Sequence, residues 1–218
     1  RVHGDYDNES DERTEYKGIY YKTYEHLKSQ MEMVSLPLKP IEATRESFRK
    51  YGQLIEPSND GDRFGPNDAQ LQLSLGVPRL YIMHLEKRPL QFSIMTHHAS
   101  VTQSLGSVGG NEWYLAVAEP TILDGCEAKT EGARTSQCGH LYSRPMIENI
   151  RVFRISGARF VMLRRGTWHA GPMFFSRSMD FYNLELSNTN IEDHTIHDFE
   201  RENGVTFCVS TKDVPGIS

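Results

Sequence analysis

Short segments in which apolar and polar residues alternate, separated by glycine-rich turns, recur through most of the chain. Alternation with a period of two is typical of a half-buried β-strand, because successive side chains on a strand point to opposite faces. The segments cover residues 79–85, 91–96, 112–117, 151–155, 160–163 and 179–186. The chain also contains 17 glycines and 10 prolines, which favour turns over long helices. The sequence therefore predicts an all-β domain, either a β-sandwich or a small antiparallel barrel.

Turn and capping signals add detail to this prediction. Thr44, with Ser47 three residues later, predicts a short capped helix at the front of the domain. Residues 57–68 are rich in turn-forming side chains and predict a long loop. Residues 156–159 predict the four-residue loop of a β-hairpin between the two strands that flank them. Residues 124–145 are polar without a clear period, and we interpret them as an inserted loop.

The negative charge is concentrated at the N-terminal end. Residues 1–34 have a net charge of −3, out of a formal −5 for all 218 residues. We therefore expect residues 1–35 to form an acidic, partly mobile arm, in which residues 17–33 contain a short amphipathic helix. Residues 36–210 are expected to form a single domain, and residues 211–218 a C-terminal tail.

Composition also excludes several classes of protein. A mildly acidic chain without a basic block is not expected to bind nucleic acid. No apolar run approaches the roughly 20 residues that a membrane-spanning helix needs, so no membrane partner is expected. The first 20 residues are charged and show no apolar secretory signal. We expect a soluble protein of the cytoplasm or of a reducing organelle lumen.

The three cysteines are too few, and odd in number, for a disulfide framework. Reduced thiols in a reducing compartment are the simplest interpretation. Cys138 and His140, with Cys126 nearby, also resemble part of a zinc site, although no fourth ligand is evident.

Two of the nine histidines stand out by their surroundings. Four residues separate His98 from Gln103, and six more separate Gln103 from Gly110. His169 lies just after a predicted strand and a tight turn at Gly166. Two separate strands thus each deliver one imidazole, as a metal or ligand site at the mouth of a barrel requires. We predict that His98, Gln103 and His169 converge inside the domain.

These spacings resemble the two sequence motifs of the cupin superfamily. His-x4-Gln-x6-Gly is similar to the second part of the first motif, and Gly166-x2-His169 is similar to the core of the second. The chain departs from the motifs at Thr96, Gln103, Arg164 and Met173, where cupins usually have histidine, glutamate, proline and asparagine. The resemblance implies a cupin-type antiparallel β-barrel or jelly roll with a few short helices.

Further blocks resemble the ureidoglycolate lyase family of this superfamily. In chain order they are residues 46–56, His98 with Thr102 and Gln103, Val152-Phe153, residues 166–169 and Asp180-Phe181. The resemblance covers residues 41–207, and residues 65–70 and 179–185 are similar to plant members, whereas the shorter bacterial members lack residues 124–145. It implies cleavage of ureidoglycolate, a small-molecule carboxylate, to glyoxylate and urea in allantoin degradation and purine catabolism.

The implied reaction sets three chemical requirements. A base must take the proton of the carbinol hydroxyl, other groups must hold the carboxylate and the developing carbonyl oxygen, and an acid must assist departure of the urea nitrogen. A divalent metal, either Ni, Mn or Zn, bound by His98, Gln103 and His169 would chelate the substrate and meet the second requirement. Glutamine is a weak neutral ligand, so direct hydrogen bonds from the same three side chains to the substrate are the alternative.

The candidate bases are His97, Glu112, Asp180 and Tyr182. Adjacent residues on a strand point to opposite faces, so His97 is expected to point out of the barrel if His98 points in. Asp180 and Tyr182 share a face of a late strand, and we assign them as catalytic residues together with His98. A structural Asp–Tyr pair in the core is the alternative interpretation.

Gln103, His84 and Trp168 are the candidate substrate-binding residues. For Trp168, a packing role is the simpler interpretation. His194 and His197 are interpreted as part of a solvated turn.

Two other functions stay open at this point. One is a cupin-fold lyase, cyclase or isomerase recruited to plant specialised metabolism, and the other is a non-catalytic module that binds small carboxylates. Cupin scaffolds support many functions, so the fold alone does not decide between them. A homodimer is also expected, since edge strands of cupins frequently pair.

Overall fold

Two large β-sheets contain most strands of the computed structural model, which describes residues 33–125 and 131–210. The first sheet is antiparallel and consists, from edge to edge, of β3 (Gly52–Ile55), β13 (Phe160–Leu163), β7 (Gln103–Ser107), β15 (Ser178–Leu186) and β4 (Pro78–Glu86). The predicted arm up to residue 32, most of its predicted helix and the C-terminal tail lie outside the described residues. The described residues from Ser35 onward form one compact unit.

The second large sheet has six strands. From edge to edge these are β16 (Thr195–Asp198), β6 (Ile94–His97), β14 (Trp168–Met173), β8 (Trp113–Ala118), β12 (Arg151–Ile155) and β2 (Pro40–Glu42). All neighbours are antiparallel except β12 and β2, which run parallel.

Two small sheets and short helices complete the fold. One small sheet joins β1 (Val34–Leu38), β17 (Val205–Val209) and β5 (Gln91–Phe92), and the other joins β10 (Arg134–Thr135), β11 (Leu141–Tyr142) and β9 (Ile122–Leu123). The helices are α1 (Arg45–Phe48), a 3-10 turn (Ile147–Asn149), α2 (Thr189–Glu192) and α3 (Phe199–Asn203). The prediction of an irregular loop over residues 124–145 is therefore wrong in part, because β10 and β11 pair there.

Helix α1 forms where the sequence places its cap. The Thr44 side chain accepts a hydrogen bond from the Ser47 amide, and the Ser47 side chain accepts one from the Thr44 amide. This reciprocal capping box satisfies amides that have no partner inside the helix. The buried ring of Phe48 then packs against Phe153 and Tyr51.

The hydrophobic core has two layers, one on each face of the six-stranded sheet. Between the two large sheets, Trp113, Leu115, Phe153 and Phe181 pack together. On the rear face, Tyr114 and other side chains pack under β17, α3 and the segment around β11. All six residues of β8 are buried, because this strand is covered on both faces.

The predicted hairpin over residues 151–163 is wrong. Its two strands belong to different large sheets, and the turn between them forms a corner where the chain crosses from one sheet to the other. Gly157 donates its amide to the carbonyl of Gly110. A Cβ at Gly110 would lie 2.9 Å from the Gly157 carbonyl carbon, so only glycine permits this approach. Turn residues alone did not distinguish a corner from a hairpin.

The all-β, cupin-like fold predicted from the sequence is confirmed by this arrangement of mainly antiparallel sheets with a few short helices. Among the described residues, no helix is long and apolar enough to cross a membrane.

Candidate active site

A pocket of about 360 Å³ lies between the two large sheets. Its wall comes from β4, β7 and β15 on one side and from β6 and β14 on the other. The polar lining residues are Tyr81, Arg88, Thr96, His98, Gln103, His169, Asn183, Glu185, Asn190 and His194. Apolar side chains such as Met83 and Leu105 complete the wall. A concave site with a few convergent polar groups is typical of small-molecule binding.

His98 follows β6 directly and is 5% exposed. Its Nδ1 lies 2.5 Å from the backbone carbonyl of Asp193, so this nitrogen carries the proton and donates it. Its own carbonyl accepts a hydrogen bond of 2.7 Å from the amide of Gly166, in the turn before β14. Nε2 then has no hydrogen-bond partner among the described residues. The fold therefore holds the ring in one orientation and leaves one acceptor nitrogen for a ligand.

His169 lies on β14 opposite Thr96 of β6, with its ring centroid 5.2 Å from that of His98. Its Nδ1 lies 3.1 Å from the Thr167 carbonyl, and its Nε2 lies 3.4 Å from Thr96 Oγ1. Burial, with a smaller contribution from the charge of His98, lowers the pKa of His169 to about 3. The ring is therefore neutral at neutral pH and presents a second acceptor nitrogen to the pocket.

Glu185 is a carboxylate at the base of the pocket, only 1% exposed. Its Oε2 accepts a hydrogen bond of 3.0 Å from Gln103 Nε2, and its Oε1 accepts bonds from Tyr81 (3.2 Å) and Asn190 (3.3 Å). Gln103 Nε2 also donates to Asn183 Oδ1 at 3.1 Å. Because its NH₂ group is used in this way, Gln103 has its Oε1 free to face a ligand.

Arg88 is the one side chain of the lining that is always cationic, and it has no ion-pair partner within residues 33–125 and 131–210. A guanidinium without a protein carboxylate partner is well suited to bind the carboxylate of a small organic acid.

His194 also lines the pocket, with its ring 5.6 Å from that of His98. Burial, followed by the charge of His98, lowers the pKa of His194. His197 points to the rear layer, where it is 1% exposed and its Nε2 pairs with Asn203 Oδ1 at 3.1 Å. The interpretation of His194 and His197 as a solvated turn is therefore wrong.

The structure brings His98, Gln103 and His169 into this one pocket, although Gln103 and His169 are far apart in sequence. It does not bring Asp180, Tyr182 or His84 there.

Asp180, Tyr182 and His84 lie on the outer face of the five-stranded sheet. Asp180 pairs with His84 across β15 and β4, and His84 Nδ1 lies 2.6 Å from Asp180 Oδ1 on the exposed surface. Their assignment to catalysis and substrate binding is corrected, because the strand alternation places the opposite set in the interior. Residues Asn183 and Glu185 are that opposite set.

Trp168 is fully buried and does not line the pocket, so its assignment to substrate binding is also corrected. Its Nε1 donates a hydrogen bond of 2.8 Å to Thr121 Oγ1, and its ring lies 4.2 Å from that of His97. His97 does face away from His98, but it is fully buried under the segment that contains β11 rather than exposed. Both side chains belong to the rear core.

Glu112, another candidate base, serves a structural purpose away from the pocket. Its Oε2 accepts a hydrogen bond of 2.7 Å from Arg154 Nε, and its Oε1 accepts one of 2.7 Å from Tyr114. Burial first, and then this bond to Glu112, raise the pKa of Tyr114.

The donor set of the pocket is chemically compatible with a divalent metal. The Nε2 atoms of His98 and His169 and the Oε1 of Gln103 are the atoms that would hold it, and carbonyl partners orient both imidazoles as in metal sites. In the described part of the chain, however, no three His, Cys, Asp or Glu side chains of this pocket bring ligand atoms within 4.8 Å of one another.

Sequence reasoning missed Glu185, Asn183 and Arg88. The signal for the first two was present in the alternation of β15. Phe181, an obvious core residue, shares its face with Asn183 and Glu185 and not with Asp180. No comparable pattern marks Arg88, which reaches the pocket from the connection between β4 and β5.

These features define a class of protein: a cupin-like β fold with a histidine-lined pocket between its two large sheets. The sequence profile of the ureidoglycolate lyase family matches residues 33–203, and the chain belongs to this family. It is therefore a lyase that acts on ureidoglycolate, in purine catabolism. The family and lyase activity predicted from the sequence are confirmed. A search of curated proteins finds no match to the chain.

Proposed function

We propose that ureidoglycolate is cleaved to glyoxylate and urea in the pocket between the two large sheets, with His98 as the catalytic base. One observation carries this proposal. His98 and His169 each have Nδ1 on a backbone carbonyl, so both Nε2 acceptors face a pocket that also contains Glu185 and Arg88.

The pocket matches the substrate in charge and in hydrogen-bonding groups. Ureidoglycolate has one carboxylate, one hydroxyl and three N–H bonds. Arg88 supplies the cation for the carboxylate, since no described carboxylate neutralises it. His98 Nε2, His169 Nε2 and Gln103 Oε1 are acceptors for the O–H and N–H donors. The buried Glu185 carboxylate fixes the Gln103 side chain in this orientation.

The proton transfer needs only one base. His98 Nε2 takes the proton of the carbinol hydroxyl, the O–H electron pair forms the new C=O bond, and the C–N electron pair leaves with the urea nitrogen. The resulting imidazolium keeps its Nδ1–H bond to the Asp193 carbonyl and returns the proton to that nitrogen. Because burial lowers the pKa of His169 to about 3, His169 is too weak a base for this step and acts as a hydrogen-bond acceptor.

A metal at this site would be held by His98, Gln103 and His169. When bound, it would supply Lewis-acid stabilisation of the carboxylate and the developing carbonyl oxygen. The same side chains bind and orient the substrate without it.

The direct test is to incubate the purified protein with ureidoglycolate and measure glyoxylate, urea and ammonia. We expect glyoxylate and urea in equal amounts and no ammonia, above the spontaneous rate. Repeating the assay after chelation and with added Ni²⁺, Mn²⁺ or Zn²⁺ measures metal dependence separately. Release of ammonia instead of urea, or a rate equal to the spontaneous one under all metal conditions, would contradict the proposal.

We further propose a homodimer formed through β4 and its neighbour β15. β4 is a nine-residue edge strand whose outward side chains Leu80 and Ile82 are 70% and 59% exposed. A long, exposed apolar edge strand is usually protected from unspecific pairing, and antiparallel pairing with a second copy about a two-fold axis provides this protection.

Light scattering during gel filtration should show a dimer that the Leu80→Lys/Ile82→Lys variant converts to a monomer. Ile196→Lys, on the edge strand β16, is the matched control. A monomeric wild-type protein at high concentration would contradict the proposal.

We also propose that the chain is a plant-type member of the family. Two observations support this: the resemblance of residues 65–70 and 179–185 to plant sequences, and the β10–β11 segment, which lies where bacterial members are shorter. Within the described residues, Cys138 and Cys208 are free thiols, which favours a reducing compartment. A fluorescent fusion in plant cells tests the second statement, and accumulation in an oxidising compartment would contradict it.

A further inference from the structure

We propose that Cys138, His140 and Asp193 form a second metal site, separate from the pocket, that binds one Zn²⁺ or a similar divalent transition-metal ion. Within residues 33–125 and 131–210, this is the one group of three or more His, Cys, Asp or Glu side chains whose ligand atoms all lie within 4.8 Å of one another. Thiolate, imidazole and carboxylate are the ligand types that zinc prefers. Thiolate and carboxylate together also balance the two positive charges of the ion.

Of the three residues, Asp193 is held in place by hydrogen bonds, whereas Cys138 lies in an exposed turn. Both oxygens of the Asp193 carboxylate accept backbone hydrogen bonds, from Ala99 at 2.8 Å and from Ser100 at 2.7 Å. Cys138 is exposed, in the turn between β10 and β11. Metal bonds of about 2.0–2.3 Å place tetrahedral ligand atoms roughly 3.3–3.7 Å apart, so ligand atoms that lie within 4.8 Å of one another need to move together by at most about 1.5 Å. The exposed turn at Cys138 can supply this movement, and three protein ligands leave one position for water.

Both ring nitrogens of His140 have partners, so binding an ion exchanges one of them. Its Nδ1 lies 2.7 Å from Ser136 Oγ, and its Nε2 lies 2.8 Å from His97 Nε2. The ion would replace His97 at Nε2, while Ser136 stays at Nδ1 and orients the ring. The rings of Tyr142 and His97 flank it at 5.9 Å and 5.0 Å between centroids. Such partners fix the orientation of a ligand ring, and replacing them in metalloproteins typically costs 10–100-fold in metal affinity.

A metal ion at this site would also affect the pocket between the two large sheets. The backbone carbonyl of Asp193 accepts the Nδ1 hydrogen bond of His98, and the next residue, His194, lines the pocket. An ion that fixes Asp193 to the β10–β11 segment therefore stabilises the orientation of His98. This consequence rests on the proposed role of His98, whereas metal binding itself does not.

Titration of the metal-free protein with Co²⁺ tests the site without measuring activity. A cysteine ligand gives a thiolate-to-cobalt charge-transfer band in the near ultraviolet, which imidazole and carboxylate ligands do not. We expect the band to saturate at one equivalent and Zn²⁺ to displace the Co²⁺. Cys138→Ser should abolish the band, and His140→Ala should weaken binding by at least about tenfold.

Two matched controls locate the ion. Cys208→Ser removes the other described free thiol, and His169→Ala removes a ligand of the alternative position in the pocket; both should retain the band. Cys138 is exposed, so its replacement is not expected to disturb folding, which thermal melts can verify. The absence of a charge-transfer band in the wild-type protein, or a band that persists in Cys138→Ser, would overturn the proposal. So would binding that is lost in His169→Ala and retained in Cys138→Ser.

Discussion

Two pairs of histidines lie on opposite sides of the end of β6, and they differ in what they face. In the pocket pair, His98 and His169, each Nδ1 is held by a backbone carbonyl and each Nε2 faces the cavity. In the rear pair, the Nε2 atoms of His97 and His140 lie 2.8 Å apart beneath the ring of Tyr142.

Burial lowers the pKa of a histidine in each pair, His97 in the rear pair and His169 in the pocket pair. Burial first, and neighbouring histidines second, lower the pKa of His97 to about 3, the same value that burial and His98 give His169. A lowered pKa therefore does not by itself identify a catalytic histidine in this protein. What distinguishes the pocket pair is open volume next to Nε2, which has no partner among the described residues in His98 and only a 3.4 Å contact with Thr96 Oγ1 in His169.

The largest expected difference between the pairs concerns catalysis. His98→Ala should lower kcat/KM by about 10²–10⁴-fold, the usual contribution of a general base, in a protein that still folds. His97→Ala should lower the free energy of unfolding by roughly 2–4 kcal/mol, because it leaves a cavity against Trp168. Steady-state kinetics and urea denaturation of both variants measure this. A His97→Ala protein that is fully folded but inactive would contradict the comparison.

Arg88 should act on substrate binding. Arg88→Gln is expected to raise KM by about 10- to 100-fold, since a hydrogen bond to a charged group contributes about 1.5–3 kcal/mol. Arg88→Lys should recover part of this loss because it restores the charge but not the bidentate geometry. Asp180→Asn, on the outer face of β15, is the matched control and should leave KM unchanged. Equal effects of Asp180→Asn and Arg88→Gln would place the carboxylate site elsewhere.

Replacing Gln103 distinguishes direct binding from metal-assisted binding. Gln103→Glu replaces the amide that donates to Glu185 with a second carboxylate and adds a negative charge to a pocket that binds an anion, so we expect substrate affinity to fall by about tenfold or more. If a metal holds the substrate, the added negative ligand should tighten the metal and raise the affinity instead. Calorimetric titration with glyoxylate, before and after chelation, gives the sign of the effect.

A further expected effect is on the pH dependence of the free energy of unfolding. The folded pKa of His97 is about 3 and its ordinary value is 6.5, so between these values the unfolded state binds a proton that the folded state does not. The contribution of His97 is therefore complete above pH 6.5 and is lost as the pH falls towards 3, with a slope of up to about 1.4 kcal/mol per pH unit. Denaturation curves between pH 4 and 7 should show a shallower slope for His97→Gln. An unchanged slope would mean that His97 is not desolvated.

Sequence reasoning located the strands and the three side chains that meet in the pocket. The spacing of His98, Gln103 and His169 sufficed because each follows or lies in a strand whose pattern is readable on its own. Glu185 was missed because Asp180 and Tyr182 are polar residues in the first half of β15, and the inner face becomes polar only beyond Phe181.

The rest depends on contacts between distant parts of the chain. His97 was expected to point out of the barrel, as it does, but nothing local to β6 indicates that Tyr142 and His140 cover it from another part of the chain. The turn at Gly157 likewise resembles a hairpin loop until its approach to Gly110 shows that it joins two sheets. Tertiary contacts, and not local preference, decide both cases.

The most direct measurement is long-range ¹H–¹⁵N NMR of the imidazole nitrogens during titration with glyoxylate, the reaction product. The resonances of His98 and His169 can be assigned by single replacement of each histidine. We expect saturable shifts at the Nε2 atoms of His98 and His169 and unchanged resonances for His97 and His140. Shifts confined to His97 and His140, with His98 and His169 unaffected at saturation, would show that the pocket is not where the small carboxylate binds.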